Sequence, residues 1–282
     1  IAIDGGIVKG ASGFDYLDGS TAGSATVVSA IRSARQDSDV RAIVVRLNTP
    51  GGDAIASDLI WAELSEARKS KPVIVSMSDV CASGGYYIAS ASDKVFLQPT
   101  TVTGSIGVFS GKANIAGLYS KLGLHTETVV RGKHANMFSL TQPLTDEERA
   151  IVRRHVMDMN SRFISVVAEG RMLSIDSVAA VAQGRTWSGE RALALGLADT
   201  TGSILDAVEL ARQKSNIPDN DFVVVEMPQR RLIPRLTSLA MAAFTKTLGI
   251  ENSNPLAALR TGFLSVDRTD LQMRMPYNLS IE

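Results

Sequence analysis

The stretch AIVVRLNTPGGDAIASDLI, residues 42–60, contains the pattern that decides the fold. A β-branched run ends at a Pro-Gly-Gly turn, and apolar residues then recur every three to four positions. The first pattern is typical of a buried strand and the second of a helix. The stretch therefore predicts a strand, a glycine turn and a helix in direct succession.

The same unit is repeated along the next seventy residues. A second strand is predicted in KPVIVSMS (71–78), with a helix beginning at Ser83 in ASGGYYIASAS. Further elements follow in the order strand, helix, strand: KVFLQP (94–99), GKANIAGLYSKLG (111–123) and HTETVV (125–130). This alternation predicts an α/β fold of repeated βαβ units around a parallel sheet, with ligands at the carboxyl ends of the strands.

The character changes after Pro143, where a helical carboxy-terminal part begins. Thr145 and Glu148 form the capping-box pattern at the start of a long amphipathic helix (144–171). We interpret residues 1–143 as the α/β core, 144–226 as a helical part completing the same domain, and 227–282 as an extension for packing or oligomer contact. Further predicted elements are helices at 174–184, 188–196 and 203–215, a strand in DFVVVEMP (221–228) and an amphipathic helix at 230–250.

Composition and charge narrow the function classes. The 282 residues include 29 basic and 29 acidic side chains, so the chain has no basic excess of the kind that nucleic-acid binding requires. The single cysteine, Cys81, excludes an internal disulfide framework and is best interpreted as a small buried hydrophobe. Apolar runs are too short to span a bilayer. The start at Ile1 and the lack of a visible signal peptide indicate a fragment or a processed chain.

Two serines and two glycines form the candidate site. Ser83 lies at a strand-to-helix turn, where a helix amino terminus can support negative charge, although a plain N-cap serine fits the same pattern. Gly51 and Gly52 supply backbone N–H groups suited to an oxyanion. Ser105, in TVTGSIGVF, could orient a catalytic group.

Other constellations are weaker. The three histidines show no metal-ligand spacing, so neither a metal site nor a cofactor is implied. His134 is in a loop-like segment and is the histidine best placed for a Ser–His–Asp triad.

The motifs NTPGG, ASGGYY and TGSIG, in this order between βαβ units, resemble the signal peptide peptidase (protease IV, SppA) family. The segment GRTWSGERALALGLAD (184–199) resembles another part of that family. The resemblance implies a Clp-protease and crotonase type of fold and a serine peptidase with a Ser–Lys dyad. It implies Ser83 as the nucleophile and Ser105 as the serine that hydrogen-bonds the catalytic lysine. The oxyanion hole would be formed by the region of Gly51 and Gly52 together with Gly84.

The family's lysine is missing at its usual place. Short members of the family carry it in a G-x-Y-K segment, where this chain reads RGKHANMFS, with Gly132 at the glycine and Ala135 at the lysine position. Lys133 lies two residues too early and is only a fallback. The resemblance implies that this chain is the carboxy-terminal, serine-bearing half of a long two-domain form, whose amino-terminal homologous domain supplies the base.

The resemblance also implies a substrate and a setting. The substrates would be apolar, membrane-derived peptides such as cleaved signal peptides. The enzyme would be a homo-oligomer, with a tetramer expected, at the periplasmic face of a bacterial inner membrane, with its anchor in a missing part. The alternatives are a crotonase-like acyl-CoA enzyme and a catalytically silent scaffold domain.

Overall fold

A mostly parallel sheet organises the protein. The structure, a computed structural model, describes residues 1–15, 19–219, 221–228 and 272–274. Four short strands come first, and from residue 24 to residue 97 helices alternate with strands, as the sequence predicts, with one added short strand at Gly51–Asp53. The strands are β1 (Ala2–Asp4), β2 (Gly6–Val8), β3 (Gly13–Asp15), β4 (Gly19–Gly23), β5 (Ile43–Thr49), β6 (Gly51–Asp53), β7 (Val73–Ala82), β8 (Lys94–Leu97), β9 (Val102–Gly104), β10 (Thr186–Ser188), β11 (Thr200–Thr201) and β12 (Gln272–Arg274).

Helices pack on the sheet and make up most of the carboxy-terminal part. They are α1 (Ser24–Gln36), α2 (Ala54–Arg68), α3 (Gly84–Ala89), α4 (Ala116–Lys121), α5 (Asp146–Arg171), α6 (Ile175–Val181), α7 (Gly189–Ala194) and α8 (Ile204–Lys214). The predicted capping box of α5 is confirmed: Glu148 donates its backbone N–H to Thr145 Oγ1, and the Glu148 carboxylate accepts the Thr145 N–H.

Two sheets are present in the described residues. The larger has the order β1-β5-β7-β8-β11, with β9 also pairing with β7 and β10 pairing antiparallel with β9. The smaller has the order β12-β6-β2-β4-β3. Neighbours along the main path of the larger sheet are parallel, which confirms the predicted α/β fold.

The long strand β7 positions the site. Its first part pairs with β8 and its last three residues pair with β9, so the sheet divides at its carboxyl end. The run Val73–Met77 is fully buried because helices cover both faces of a parallel sheet. Each of its four apolar side chains, all but Ser76, contributes roughly 1.5–3 kcal/mol through burial. The residues that follow β7 are therefore fixed by the most stable part of the fold.

The helical part shares this core. Phe163 and Val166 of α5, Val178 of α6 and Leu197 belong to the same buried apolar cluster as the strands. The ring of Phe163 lies 5.0 Å from that of Tyr87 in α3, measured between centroids. The long helix thus packs directly on the helix that follows Ser83.

Residues 108–143, here called the arm, do not have the secondary structure that the sequence predicts for them. None of them is buried, and Val129 is fully exposed. The helix predicted at 111–123 is confined to α4, and the strand predicted at 125–130 is wrong. The sequence HTETVV has the alternation of a strand, but a strand also needs a neighbour to pair with, and no described part of this chain lies beside it.

The strand predicted in DFVVVEMP (221–228) is also wrong. These residues form no ladder, and Val223 to Val225 are exposed. A single backbone hydrogen bond, from Ala2 N–H to Met227 O at 3.2 Å, links the segment to β1. The helix predicted at 230–250, and most of the proposed 227–282 extension, lie outside the described residues.

Candidate active site

Ser83 lies at a strained turn between β7 and α3. Its φ and ψ are 51° and −118°, a conformation that serine rarely adopts. The Ser83 N–H donates to Gly104 O at 2.8 Å, and the Tyr87 N–H donates to Ser83 O at 2.9 Å. Backbone strain of this kind persists only where the surroundings enforce it, and it is concentrated at functional sites.

The Ser83 hydroxyl does not act as a helix cap. Ser83 occupies the N-cap position of α3, but its side chain accepts no hydrogen bond from the helix. Oγ is buried and has no hydrogen-bond partner among the described residues. A buried unpaired hydroxyl costs on the order of 1–3 kcal/mol. The N-cap interpretation is therefore wrong for the side chain, and the hydroxyl has no structural task here.

The two tyrosines after Ser83 fix α3 in place. Tyr86 Oη donates to Leu197 O at 2.8 Å, and Tyr87 Oη donates to Asp58 Oδ1. Burial raises the pKa of both phenols above the ordinary value, so both remain neutral donors. The tyrosines thus tie the helix that presents Ser83 to α2 and to the carboxy-terminal part.

Glycines allow two backbone segments, one at Gly52 and one at Gly84, to approach each other beside Ser83. A Cβ on Gly52 would lie 2.0 Å from Ile7 O, so only glycine fits there. A Cβ on Gly84 would lie 2.4 Å from Ser57 Oγ and 3.4 Å from the nitrogen of Gly52. The Gly52 nitrogen therefore lies close to Gly84, the residue that follows Ser83, and the N–H groups of these two glycines could serve one oxyanion.

Gly51 has a different role from the one expected. Its N–H donates to Thr49 Oγ1 at 3.1 Å, so this donor is already used. Thr49 also supplies the methyl group that would lie 2.5 Å from a Cβ on Gly85. The sequence analysis did not single out Thr49, because a threonine inside a β-branched strand looks like ordinary strand composition.

Ser105 is brought beside Ser83 by strand register. Ala82 and Gly104 are partners in the parallel pair β7–β9, and the two serines directly follow them. Ser105 has a positive φ of 50° and is buried. Its N–H donates to Arg185 O at 2.7 Å, and Gly184 N–H donates to Ile106 O at 2.9 Å. The segment 184–199 therefore fixes the backbone turn at Ser105 through these hydrogen bonds. The bonds connect two motifs that are far apart in sequence.

Asp199, at the end of that segment, anchors it to the sheet. Its carboxylate accepts from Val95 N–H and from Arg171 Nη1, both at 2.8 Å, and lies 3.2 Å from Lys94 Nζ. Burial raises the pKa of Asp199, but these hydrogen bonds and charges outweigh it, so the pKa lies below its usual value.

An apolar cavity opens next to Ser105. Its volume is about 520 Å³, and Val108 and Phe109 line one side while Val156 and Met157 of α5 line the other. Apolar lining with a few polar groups is typical of a pocket for an apolar side chain.

The candidate base residues lie elsewhere. Lys133 Nζ is 2.7 Å from Glu147 Oε1, and the lysine side chain is 71% exposed. His134 lies 3.6 Å from both Glu147 and Glu148, so it faces the start of α5. No described residue hydrogen-bonds Ser83 Oγ, and the triad hypothesis for His134 is therefore wrong in this structure.

The remaining points of the sequence analysis concern Cys81, a metal site and a membrane-spanning helix. Cys81 is fully buried, and burial raises the pKa of its thiol, as expected for a small apolar residue. Within the described residues no group of three His, Cys, Asp or Glu side chains could hold a metal ion. Among the helices of the described part, none is long and apolar enough to cross a membrane.

Residues 65–218 match the model of peptidase family S49. The chain belongs to this family. It is 41% identical over 211 residues to the chloroplastic serine protease SPPA of Arabidopsis thaliana, covering 73% of this chain and 31% of that protein. It is 37% identical over 217 residues to protease 4 of Haemophilus influenzae, covering 77% and 34%. The chain thus spans about a third of the length of these relatives.

The solved structures give a likeness in fold. The chain resembles a ClpP1 variant of Listeria monocytogenes with a TM-score of 0.48 and 16% identity, over 74% of this chain and 93% of that one. Membership of family S49 makes this chain a serine peptidase homologue of SppA and protease IV. The S49 match begins inside α2 and includes Ser83, Ser105 and the 184–199 segment.

Proposed function

We propose that this S49 chain is the serine-bearing half of a peptidase that cleaves apolar peptides, with Ser83 as its nucleophile. The observation that carries the proposal is the Ser83 hydroxyl itself. It is buried on a residue of strained backbone, has no hydrogen-bond partner among the described residues, and lies beside Gly52 and Gly84. A protein does not retain an unsatisfied buried hydroxyl for stability.

The chemistry follows the two-step route of covalent catalysis. Ser83 Oγ attacks the carbonyl carbon of the scissile bond and gives its proton to a base, which passes it to the leaving amine. Water then hydrolyses the acyl-enzyme. The N–H groups of Gly52 and Gly84 stabilise the oxyanion of each tetrahedral intermediate, each contributing roughly 3 kcal/mol.

The cavity beside Ser105 supports an apolar substrate. Its apolar lining consists of Val108, Phe109, Val156 and Met157, with Asn160, Ser161 and Gln183 as polar lining residues, so an apolar side chain would gain burial against the apolar part. Peptides derived from membranes, such as cleaved signal peptides, have this composition. The family resemblance points to the same substrates.

The base is a lysine from another domain or protomer, and Ser105 orients it. Three observations support this arrangement. Ala135 stands at the lysine position, Lys133 is exposed and ion-paired with Glu147, and Ser83 Oγ has no acceptor among the described residues. The Lys133 side chain is 71% exposed and pairs with Glu147 at the surface, whereas a catalytic lysine is usually buried. The exposed arm leaves room for a neighbour close to the cavity.

The setting rests on the family resemblance. We expect a homo-oligomer, with a tetramer as the specific hypothesis, and an amino-terminal homologous domain carrying the lysine. We also expect membrane association through an anchor outside this chain, at the periplasmic face of a bacterial inner membrane. No nucleic-acid partner is expected, given the balanced charge.

Cleavage of an apolar, signal-peptide-like substrate by the whole protein tests the proposal. Ser83→Ala is expected to remove cleavage, by at least about 10³-fold, and to remove labelling by a fluorophosphonate. Lys133→Ala should leave cleavage nearly unchanged. Lys9→Ala is a second control for a lysine of this chain near the site, because Lys9 Nζ lies 3.8 Å from Asp53 Oδ2, next to Gly52. This variant, too, should leave cleavage nearly unchanged.

Two outcomes would contradict parts of the proposal. Loss of cleavage in Lys133→Ala, with assembly intact, would move the base into this chain. A whole protein that assembles and binds peptide but neither cleaves it nor reacts with the fluorophosphonate would be a silent scaffold.

A further inference from the structure

The side chain of Thr49 contacts both backbone segments of the candidate site. Thr49 is the last residue of β5 and is fully buried. Its hydroxyl oxygen accepts the Gly51 N–H at 3.1 Å, which closes a side-chain turn over two residues. Its methyl carbon lies 2.5 Å from the position of a Cβ on Gly85, so the methyl group packs against the second residue of α3. One threonine thus touches both the turn that leads into β6 and the first turn of α3.

The Thr49 hydroxyl acts where the backbone has the most freedom. Gly51 has a φ of 101°, and it has no side chain to limit its conformation. Besides accepting the Gly51 N–H, Thr49 Oγ1 lies 3.5 Å from Gly51 O, with the hydroxyl as donor. The Gly51 carbonyl and the Gly52 N–H belong to one planar peptide group, so a contact that orients the carbonyl also orients the N–H. Thr49 therefore touches the peptide groups on both sides of Gly51.

A second buried hydroxyl lies on the other side of Gly52. Ser57 Oγ donates to Asp53 O at 2.8 Å, a bond of a kind that is common inside helices. The same oxygen lies 2.4 Å from the position of a Cβ on Gly84, so it packs directly on the first residue of α3. The segment 51–53 is thus held beside α3 at both of its ends, and Gly52 lies between the two attachments.

The geometry points to Thr49 as a positioning residue of the oxyanion site, whose hydroxyl sets the direction of the Gly52 N–H. This inference rests on the proposed peptidase function, because an oxyanion forms only in that reaction. Donors stabilise an oxyanion strongly when they are oriented before the reaction begins. Two successive glycines cannot fix their own peptide groups, and Thr49 supplies the missing restraint. Thr49 contacts no reacting atom and is not itself a catalytic residue.

Three variants of the whole protein separate the hydroxyl from the packing. Thr49→Val removes the hydroxyl and keeps the shape, whereas Thr49→Ser keeps the hydroxyl and removes the methyl group. Thr101→Val is the matched control, because Thr101 is also buried, accepts the Gln98 N–H at 3.0 Å and donates to Ser78 O at 2.8 Å. Both valine variants lose an acceptor for a backbone N–H, so urea unfolding should show similar losses of stability.

The readout compares a tetrahedral adduct with a simple complex. The probe is the peptide aldehyde acetyl-Leu-Leu-leucinal. Ser83 Oγ bonds to its carbonyl carbon, and the serine proton passes through the base to the former carbonyl oxygen, which lies at the oxyanion position. The corresponding alcohol, acetyl-Leu-Leu-leucinol, binds without forming this bond. A misdirected Gly52 N–H should weaken the aldehyde and spare the alcohol. The kcat and KM for the apolar peptide substrate are measured on the same variants.

We expect Thr49→Val to lower kcat at least about tenfold, which is less than the roughly 10²–10³-fold loss caused by removing a whole oxyanion donor. The KM and the Kd of the alcohol should change by less than about threefold, because both report ground-state binding. The aldehyde should bind more weakly by the factor that kcat/KM loses, since the adduct resembles the transition state. Thr49→Ser and Thr101→Val should each stay within about threefold of the parent in all of these quantities.

Three results would overturn the inference: an unchanged kcat in Thr49→Val, equal weakening of the aldehyde and the alcohol, or a Thr49→Ser variant as slow as Thr49→Val. The proposed function would survive each of them, provided that the parent cleaves peptide in a reaction that requires Ser83. A parent that cleaves nothing and binds the aldehyde no more tightly than the alcohol would instead remove the peptidase function, and the role of Thr49 with it.

Discussion

The Ser83 turn and the arm lie close together in sequence but differ in burial and in the number of contacts that fix the backbone. All residues from Cys81 to Ser92 are buried, whereas none from 108 to 143 is. Around Ser83, glycine contacts, two anchored tyrosines and strand register determine each backbone position. The arm has a single short helix and exposes Leu118, Leu122 and Val129. The fold thus fixes Ser83, the proposed nucleophile, while Ser83 Oγ has no hydrogen-bond partner among the described residues.

The largest expected effect is a loss of stability caused by a substitution beside the Ser83 turn. Gly52→Ala places a Cβ 2.0 Å from Ile7 O, where neither backbone can move without disrupting β6 and β2. We expect a loss of more than about 4 kcal/mol in the free energy of unfolding, or failure to fold, together with loss of fluorophosphonate labelling.

The matched change in the arm is Gly117→Ala. A Cβ there meets nothing within 4 Å, and α4 gains helix propensity, so the chain should be unchanged or up to about 1 kcal/mol more stable. Urea unfolding of both variants checks the pair. A tolerated Gly52→Ala would contradict the steric account of the turn.

Ser105→Ala should slow the chemistry without unfolding the chain. If Ser105 positions the incoming lysine, we expect the whole protein's kcat to fall by about 10²-fold while KM changes little. The kcat–pH profile should shift as well, because the hydroxyl no longer hydrogen-bonds the amine. A profile of unchanged shape would indicate a structural role only, and Ser105→Thr, which retains the hydroxyl, should recover part of the rate.

Asp199→Asn should weaken the link between the 184–199 segment and β8. The Arg171 side chain, 7% exposed, would lose its charged partner, at a cost of about 2 kcal/mol of unfolding free energy at pH 7. The pKa of Asp199 is lowered in the folded state, so its contribution is present above the unfolded value of about 3.9 and is lost as the pH falls through the folded pKa.

The difference between wild type and Asp199→Asn should therefore shrink below about pH 4, as measured by thermal unfolding across pH. Glu147→Gln is the comparison in the exposed region, since it weakens only the surface contacts of Glu147 with Lys133 and His134, and it should have almost no effect on unfolding. A difference that grows as the pH falls would contradict this assignment of the Asp199 contacts.

The smallest effect is expected at Val129. Its side chain is fully exposed, so Val129→Glu should change the unfolding free energy of the chain by less than about 0.5 kcal/mol. If the arm contacts a neighbour, the same change should weaken assembly of the whole protein, as measured by light scattering. A clear loss of stability in the isolated chain would show that the arm packs on the body.

Much of the fold could be predicted because its signals are local. Buried β-branched runs, the capping box of α5 and the glycine turns all act within a few residues, and the α/β prediction is confirmed. The failures, HTETVV and DFVVVEMP, have strand composition, but neither forms a strand ladder in the described part of the chain. Propensity is a local property, whereas pairing depends on what lies next to the segment.

The sequence by itself determined the family and the α/β architecture, because short motifs with required glycines encode them, and the same motifs led to the proposal of Ser83 and Ser105 as site residues. Only the tertiary structure decided how these parts work together. It showed that Ser83 caps nothing, that Gly51 already donates to Thr49, and that Lys133 and His134 face Glu147. It also placed residues 272–274 on the edge of β6. These facts depend on the direction of hydrogen bonds and on contacts between distant segments, which no local pattern specifies.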